Sequence, residues 1–267
     1  KLFDKLEKMD AEKYDQFYDE FGAVLKEGIH TDPSKKEKIA SLARYKTTKS
    51  DDKWVSLDEY VKNMKADQKE IYYITGDKLS ALLNSPHLEK LKEKDFEVLL
   101  MTDPVDEWVV QTLTEYDGKP LKSAEKGDLD LDKVDDSKKE EYNALFAFIK
   151  GHLEEKIKEV KPSTRLLDSV ACLSGDAHDM SGYMEKILKS SGQDVPATKR
   201  VLELNTTHPV MENFKKIFEK DSNDGRLEDY SRLLFDLAVI GEGGKLENPS
   251  RFGKLVGEMM GAALASS

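Results

Sequence analysis

The stretch EIYYITGDKLSALLNSPHLEKLKEKDFEVLLMT, residues 70–102, decides the fold. Its first seven residues, EIYYITG, are rich in β-branched and aromatic side chains and stop at Gly76, which reads as a strand. Its last seven, FEVLLMT, form a largely apolar run, interrupted only by Glu97 and bounded by charge on one side and by Pro104 on the other. A strand of that kind is covered on both faces and belongs in a parallel or mixed sheet flanked by helices. Between the two strands, helices are expected at about 77–84 and 86–94. The order strand–helix–helix–strand points to an α/β architecture.

Upstream, Tyr14, Phe17, Tyr18, Phe21, Val24 and Leu25 recur at gaps of three and four. This predicts a helix over 10–27 with those residues on one buried face. A second helix is expected over 33–45, with Pro33 in its first turn and Ile39, Leu42 and Ala43 inward. TTKSDDK, 47–53, reads as a loop. Ser56 and Glu59 have capping-box spacing and should open a helix running to Met64.

Downstream, AEKGDLDLDKVDDSKKEE, 124–141, is acidic and poor in aromatics, and the main domain boundary is expected there. A helix over 139–157 would bury Tyr142, Leu145, Phe146, Ile149, Leu153 and Ile157. Then come strands EVKPSTRLL (159–167) and VACLSG (170–175), a helix over 178–190, the strand RVLELN (200–205), a helix over 209–220, and two terminal helices at about 225–240 and 249–265.

The chain of 267 residues carries a net charge of −11 with 36% charged residues. That balance argues against a generic nucleic-acid binder, which is usually basic. The single cysteine, Cys172, excludes an intramolecular disulfide and suits a reducing compartment. No apolar run reaches the roughly 18 residues of a membrane span. The opening KLFDKLEKMDAEKYDQF is too acidic and discontinuous for a signal peptide. With no initiator methionine, Lys1 reads as the start of a fragment.

Catalytic patterns are weak. His30, His87, His152, His178 and His208 show no metal-ligand spacing. GEGG, 241–244, follows no strand and is expected to be a turn between helices rather than a phosphate loop. Cys172 reads as a buried, inert thiol, and His208 as part of a helix start. The alternating acids from Asp128 suggest a calcium loop, but Lys133 stands where an EF-hand needs glycine, so a solvated connector is expected.

Three features face more than one way. Trp108 follows Asp106 and Glu107 in a helical first turn and lies at the margin of a face made by Val105, Val109, Thr112 and Leu113, so it suits core or an exposed contact. In HDMSGYMEKILKS, Met180, Tyr183, Met184, Ile187 and Leu188 form an apolar stripe. A stripe is usually core, but its methionines also suit an adaptable binding surface. The terminal pair carries Leu227, Tyr230, Leu233, Leu234, Leu237 and Ile240 on one helix. On the other it carries Phe252, Leu255, Val256, Met259, Met260, Ala263 and Leu264, flanked by Gly253, Gly257 and Gly261. Asn248 and Pro249 supply its cap and first turn. This hairpin either packs on its own domain or pairs with a second copy across a two-fold, and the latter is expected.

SLDEYVKNMKADQKEIYYITG (56–76), SPHLEKLKEKDFEVLLMTDPVDEW (85–108) and LTEYDGKPLKSAEKGDLDL (113–131) resemble the middle segment of the heat-shock protein 90 family of chaperones. EVKPSTRLLDSVACLS (159–174), MSGYMEKIL (180–188) and VLELNTTHPV (201–210) look like that family's C-terminal domain. SLARYK (41–46) and KSDDKW (49–54) depart from the family pattern. The resemblance implies a domain division at 1–135, the end of the middle domain (helical 1–50, small α/β 51–135), and 136–267, an α/β dimerisation domain ending in a helical hairpin. It implies client-binding residues at Glu107, Trp108, Gln111, Met180, Met184, Ile187 and Leu188. It implies a dimer interface at Leu233, Leu234, Leu237, Phe252, Leu255, Val256, Met259 and Met260. ATP and Mg would belong to the family's N-terminal domain, upstream of everything here, so this portion is expected to hold no cofactor or metal and to have no ATPase activity of its own. Implied partners are a second copy, non-native client proteins and co-chaperones of the heat-shock protein 70 system, with neither nucleic acid nor membrane. The end GAALASS lacks the acidic tail MEEVD of eukaryotic cytosolic members, which implies a bacterial, cytoplasmic type, with an organellar type as the alternative. The alternatives are a dimerisation scaffold without client binding and a small α/β enzyme.

Overall fold

A computed structural model describes residues 2–129, 131, 136–196 and 198–265. The boundary expected at 135/136 and most of the connector DLDLDKVDD fall on or beside 130 and 132–135, outside the described residues.

From the start, α1 (Leu2–Glu7) and α2 (Ala11–Thr31) are followed by a 3-10 turn at Pro33–Lys35 and α3 (Lys36–Leu42). Asp10 caps α2, its carboxylate accepting from the Lys13 amide at 3.1 Å. Strands β1 (Arg44–Thr47) and β2 (Val55–Ser56) lead into α4 (Leu57–Asn63). The capping box forms as the spacing predicts: Ser56 Oγ accepts from the Glu59 amide at 3.1 Å and Glu59 Oε2 from the Ser56 amide at 2.8 Å. Then come β3 (Ile71–Thr75), α5 (Leu79–Leu83), a 3-10 turn at Pro86–Leu88, α6 (Glu89–Glu93), β4 (Val98–Met101), α7 (Asp106–Thr112) and a hairpin of β5 (Glu115–Tyr116) and β6 (Lys119–Ser123). The hairpin turns on Asp117 and Gly118, both with positive φ (48° and 67°), the backbone that an Asp-Gly pair tolerates.

After the connector follow α8 (Asp136–Leu153), β7 (Ile157–Pro162), β8 (Ala171–Ser174), α9 (Gly182–Ser190), β9 (Arg200–Leu204), α10 (Pro209–Lys220), α11 (Arg226–Gly241) and α12 (Pro249–Ala265). The chain forms two compact units, neither of them continuous in sequence. One comprises Lys1–Asn84, Leu91–Lys126 and Met180–Ala197; the other comprises Ser85–Lys90, Gly127–Asp179 and Thr198–Ser267.

The first unit is built on a six-stranded sheet ordered β2-β1-β4-β3-β6-β5. β3 lies parallel to both β4 and β6, with Tyr72 opposite Val98 and Thr75 opposite Met101. Every residue of β3 and β4 is buried, as their unbroken apolar pattern requires. The mixed sheet with helical connections is the α/β class read from residues 70–102. Ile29, Tyr45, Leu57, Tyr60, Ile71, Leu99, Met101 and Val109 form its core.

The buried face of α2 differs from the apolar stripe. Phe21 is 54% exposed and Val24 is also exposed, whereas Tyr14, Tyr18, Gly22, Lys26 and Ile29 face inward. The reason is electrostatic: Lys26 Nζ sits 2.6 Å from both Asp103 and Asp106, at the start of α7. Burial works against the Lys26 ammonium, yet the neighbouring carboxylates hold its pKa above the ordinary lysine value. A buried ion pair rotates the helix away from the face that hydrophobicity alone would select. α3 also ends earlier than expected, at Leu42, because Arg44–Thr47 joins the sheet against β4.

In the second unit, β7, β9 and β8 form a three-stranded sheet, β7 parallel and β8 antiparallel to β9. α8, α10 and α11 supply Tyr142, Leu145, Phe146, Ile149, Met211, Phe214, Leu227 and Leu234 to the core over Leu202 and Leu204. Ile157 joins this core from β7 rather than from the helix. The strand expected over 159–167 stops at Pro162, a residue that an edge strand can end on. Beneath lies a fully buried ion pair. Arg165 Nε donates to Glu203 at 2.9 Å, Ser163 and Ser174 also donate to Glu203, and Arg165 Nη2 donates to the Gly127 carbonyl at 2.6 Å. Burial alone would raise the Glu203 carboxyl; Arg165, Ser174, Lys161 and Ser163 together hold it below the usual value of 4.5.

Removing one partner strands the other charge. Glu203→Gln should cost about 3–5 kcal/mol in urea denaturation. Because the folded carboxyl titrates below the unfolded one, the wild-type contribution is complete above pH 4.5 and is lost as pH falls below it. The variant should lack that acid-side loss.

Candidate functional site

Two places bring candidate residues together, one in each unit. In the second unit, α11 packs Leu227, Leu234 and Ala238 into the core and leaves Leu237 and Ile240 exposed. Of the proposed interface residues on this helix, Leu233 and Leu234 are buried, Leu234 in the core of its own unit, and Leu237 is open. Gly243 turns the chain with φ of 71°, which GEGG permits. α12 then starts as its sequence predicts: the Asn248 side chain accepts from the Arg251 amide at 3.0 Å, with Pro249 in the first turn. No residue of α12 is buried. Phe252, Leu255 and Val256 are partly covered, Met259 is exposed, Met260 is 60% exposed and Leu264 76%. A Cβ placed on Gly253, Gly257 or Gly261 would meet nothing within 4 Å, so the glycine flank is open as well. Leu264 and Ile240 extend this face beyond the residues the family resemblance singles out, and their place in the apolar repeats is the signal for them.

In the first unit, α9 lies with α7. Its helical part begins at Gly182, not at 178: Ser181 is the cap, its hydroxyl accepting from the Met184 amide at 2.9 Å. Met180 therefore precedes the helix. The same hydroxyl donates to Glu107 Oε1 at 2.6 Å, which buries Glu107 and commits its carboxylate to the cap. Tyr183 donates to the Thr102 carbonyl at 3.2 Å, and Lys186 pairs with Asp77 at 2.5 Å. Met184 is only 8% exposed. Trp108, Met180, Ile187 and Leu188 are partly exposed, and Gln111 is exposed. The seven candidate client residues thus divide into Glu107 and Met184, which hold α9 in place, and five that reach solvent.

Elsewhere the sequence expectations describe structural groups. Cys172 is buried, and burial pushes its thiol up. His208 caps α10, Nδ1 accepting from the Val210 amide at 3.2 Å. Among the described residues no cluster of three or more His, Cys, Asp or Glu side chains could hold a metal, and no helix is long and apolar enough to cross a membrane.

A family model described as Hsp90 protein matches residues 1–267. The chain belongs to the Hsp90 family. "Chaperone protein HtpG" of Geobacter metallireducens is 46% identical to it over 266 residues, covering 96% of this chain and 41% of the relative. The protein of the same name from Geobacter sulfurreducens is 45% identical over 266 residues, with the same coverage. That of Alkalilimnicola ehrlichii is 42% identical over 273 residues, covering 97% and 41%. This Hsp90-family chain thus spans about 41% of the length of these curated relatives.

Because Met184 is buried and Gln111 exposed, their truncations should separate. Met184→Ala should cost about 2–5 kcal/mol of stability, and Gln111→Ala less than about 0.5 kcal/mol, both read from urea midpoints. Equal, small effects would show that α9 contributes no packing.

Proposed function

We propose that these residues form the assembly and client-holding portion of an Hsp90-family chaperone. Its α11–α12 hairpin would pair with a second copy, and the open residues around α7 and α9 would hold non-native protein. One observation carries the assembly reading: α12 is apolar over Phe252, Leu255, Val256, Met259, Met260 and Leu264, yet buries none of them. Exposed contiguous apolar surface on a helix calls for a partner. A second copy fits best, since a self-complementary two-fold contact pairs two identical faces into a four-helix bundle. The flank of Gly253, Gly257 and Gly261 would let the partner backbone come close.

The client reading rests on Trp108, Gln111, Met180, Ile187 and Leu188. These apolar or amphipathic groups reach solvent on one unit and suit weak, adaptable contacts. ATP and Mg would bind in the part of the longer protein that these residues do not span, and hydrolysis would occur there. Residues 1–135 would then be the end of the middle domain and 136–267 the dimerisation domain. A bacterial cytoplasm and co-operation with the heat-shock protein 70 system are what the family resemblance implies for the longer protein; the named relatives are themselves bacterial chaperones.

Deleting residues 246–267 tests the assembly reading. Sedimentation should show the full chain as a dimer and the truncated one as a monomer; a truncated dimer would place the interface elsewhere. For clients, Trp108→Ala combined with Leu188→Ala should lower suppression of aggregation of a heat-labile protein while leaving the dimer and the melting temperature nearly unchanged. Undiminished suppression would favour a scaffold without client binding.

A further inference from the structure

α12 buries no residue, and of its apolar side chains only Phe252, Leu255 and Val256 are even partly covered. Charged groups join it to α11 as well. Both ion pairs that join α11 to α12 among the described residues start from Arg251, in the first turn of α12. Its Nη2 donates to Asp236 at 2.6 Å, and its Nη1 lies 4.0 Å from Asp229. Asp229 and Asp236 are seven residues apart, two turns along one side of α11. Asp236 is only 9% exposed, and Arg251 Nη1 is buried without a hydrogen-bond acceptor. The turn between the helices is held in the same way: Arg200 pairs with Glu242 at 2.5 Å, and Lys156 pairs with Glu247 while lying 5.4 Å from the Phe235 ring centre. A guanidinium is planar, always charged and bonded from fixed directions, so it sets an angle where a flexible ammonium would not.

We infer that Arg251, through Asp236, is a positioning residue that presets the angle between α11 and α12 so that the α12 face is aimed before a second copy docks. This rests on the assembly reading above. Without the pair, α12 would sample many directions, and docking would have to select the competent one, which weakens apparent affinity in proportion to its population. The pair stands apart from the apolar contacts of the interface itself. Apolar periodicity cannot reveal it, since Arg251 and Asp236 are polar residues in the two repeats.

The test uses the full chain with two readouts. Spin labels at Arg232→Cys and Lys254→Cys report the α11–α12 distance within one copy, in labelled protein diluted into excess unlabelled protein; the buried Cys172 stays unlabelled. A dilution series in sedimentation reports the dimer dissociation constant. Arg251→Ala should broaden the distance distribution and weaken the dimer about tenfold, with helix content unchanged. Asp236→Asn, which keeps shape and removes charge, should do the same if Arg251→Ala does not fold. Arg251→Lys should restore part of the affinity but leave the distribution broader than wild type. An unchanged distance distribution in both charge-removing variants overturns the inference, even where the 246–267 deletion gives a monomer. A deletion that leaves the dimer intact overturns the assembly reading instead, while the distance measurement still judges the role of Arg251.

Discussion

An apolar helix face in water must be covered, and α12 leaves much of its own in solvent. Each large apolar side chain left in solvent forgoes about 1.5–3 kcal/mol that burial would supply. Met259, Met260 and Leu264 lie on one helix with Phe252, Leu255 and Val256. The rest of the second unit is arranged so that this face exists. α11 anchors one side of the hairpin through Leu227, Leu234 and Ala238, and its outer residues Leu237 and Ile240 stay open. The hairpin is thus half core and half surface, which suits a contact between copies better than a closed domain.

Buried charge organises what hydrophobicity leaves undecided. Lys26 between Asp103 and Asp106 turns α2 and fixes the start of α7, from which Glu107 reaches the Ser181 cap of α9. Arg165 and Glu203 tie the Gly127 carbonyl to the three-stranded sheet. Buried pairs of this kind add little net stability, but breaking one is costly, so each fixes a geometry strongly. Arg251 and Asp236 repeat the theme at the hairpin, in a less enclosed setting.

Periodicity and turn chemistry made much of this legible in advance. EIYYITG reads as a strand ending at Gly76 and FEVLLMT as a doubly covered strand of a parallel or mixed sheet because apolar residues dominate it, and the Ser56–Glu59 box and the Asn248–Pro249 start are visible as spacings. Short polar strands leave little trace in the sequence: RYKT carries too little apolar signal, and the hairpin at 115–123 rests on the pair Asp117–Gly118 alone. At the candidate sites, residue types were legible but exposure was not. Met184 and Glu107 turn inward because Ser181 and Tyr183 bind α9 down, and those partners lie more than seventy residues from theirs in sequence. The inward side of α2 is not legible in apolar periodicity because a lysine occupies it, and ion pairs have no period.

Hydrogen exchange along α12 at several protein concentrations tests the central claim most directly, because it needs no substitution and reports on the helix itself. If a second copy covers this face, amides over 249–265 should exchange more slowly as concentration rises, while those of β3 and β4, buried within one chain, should not change. Exchange of α12 that is fast and the same at every concentration would show that no second copy protects it, and the account of the hairpin would fail.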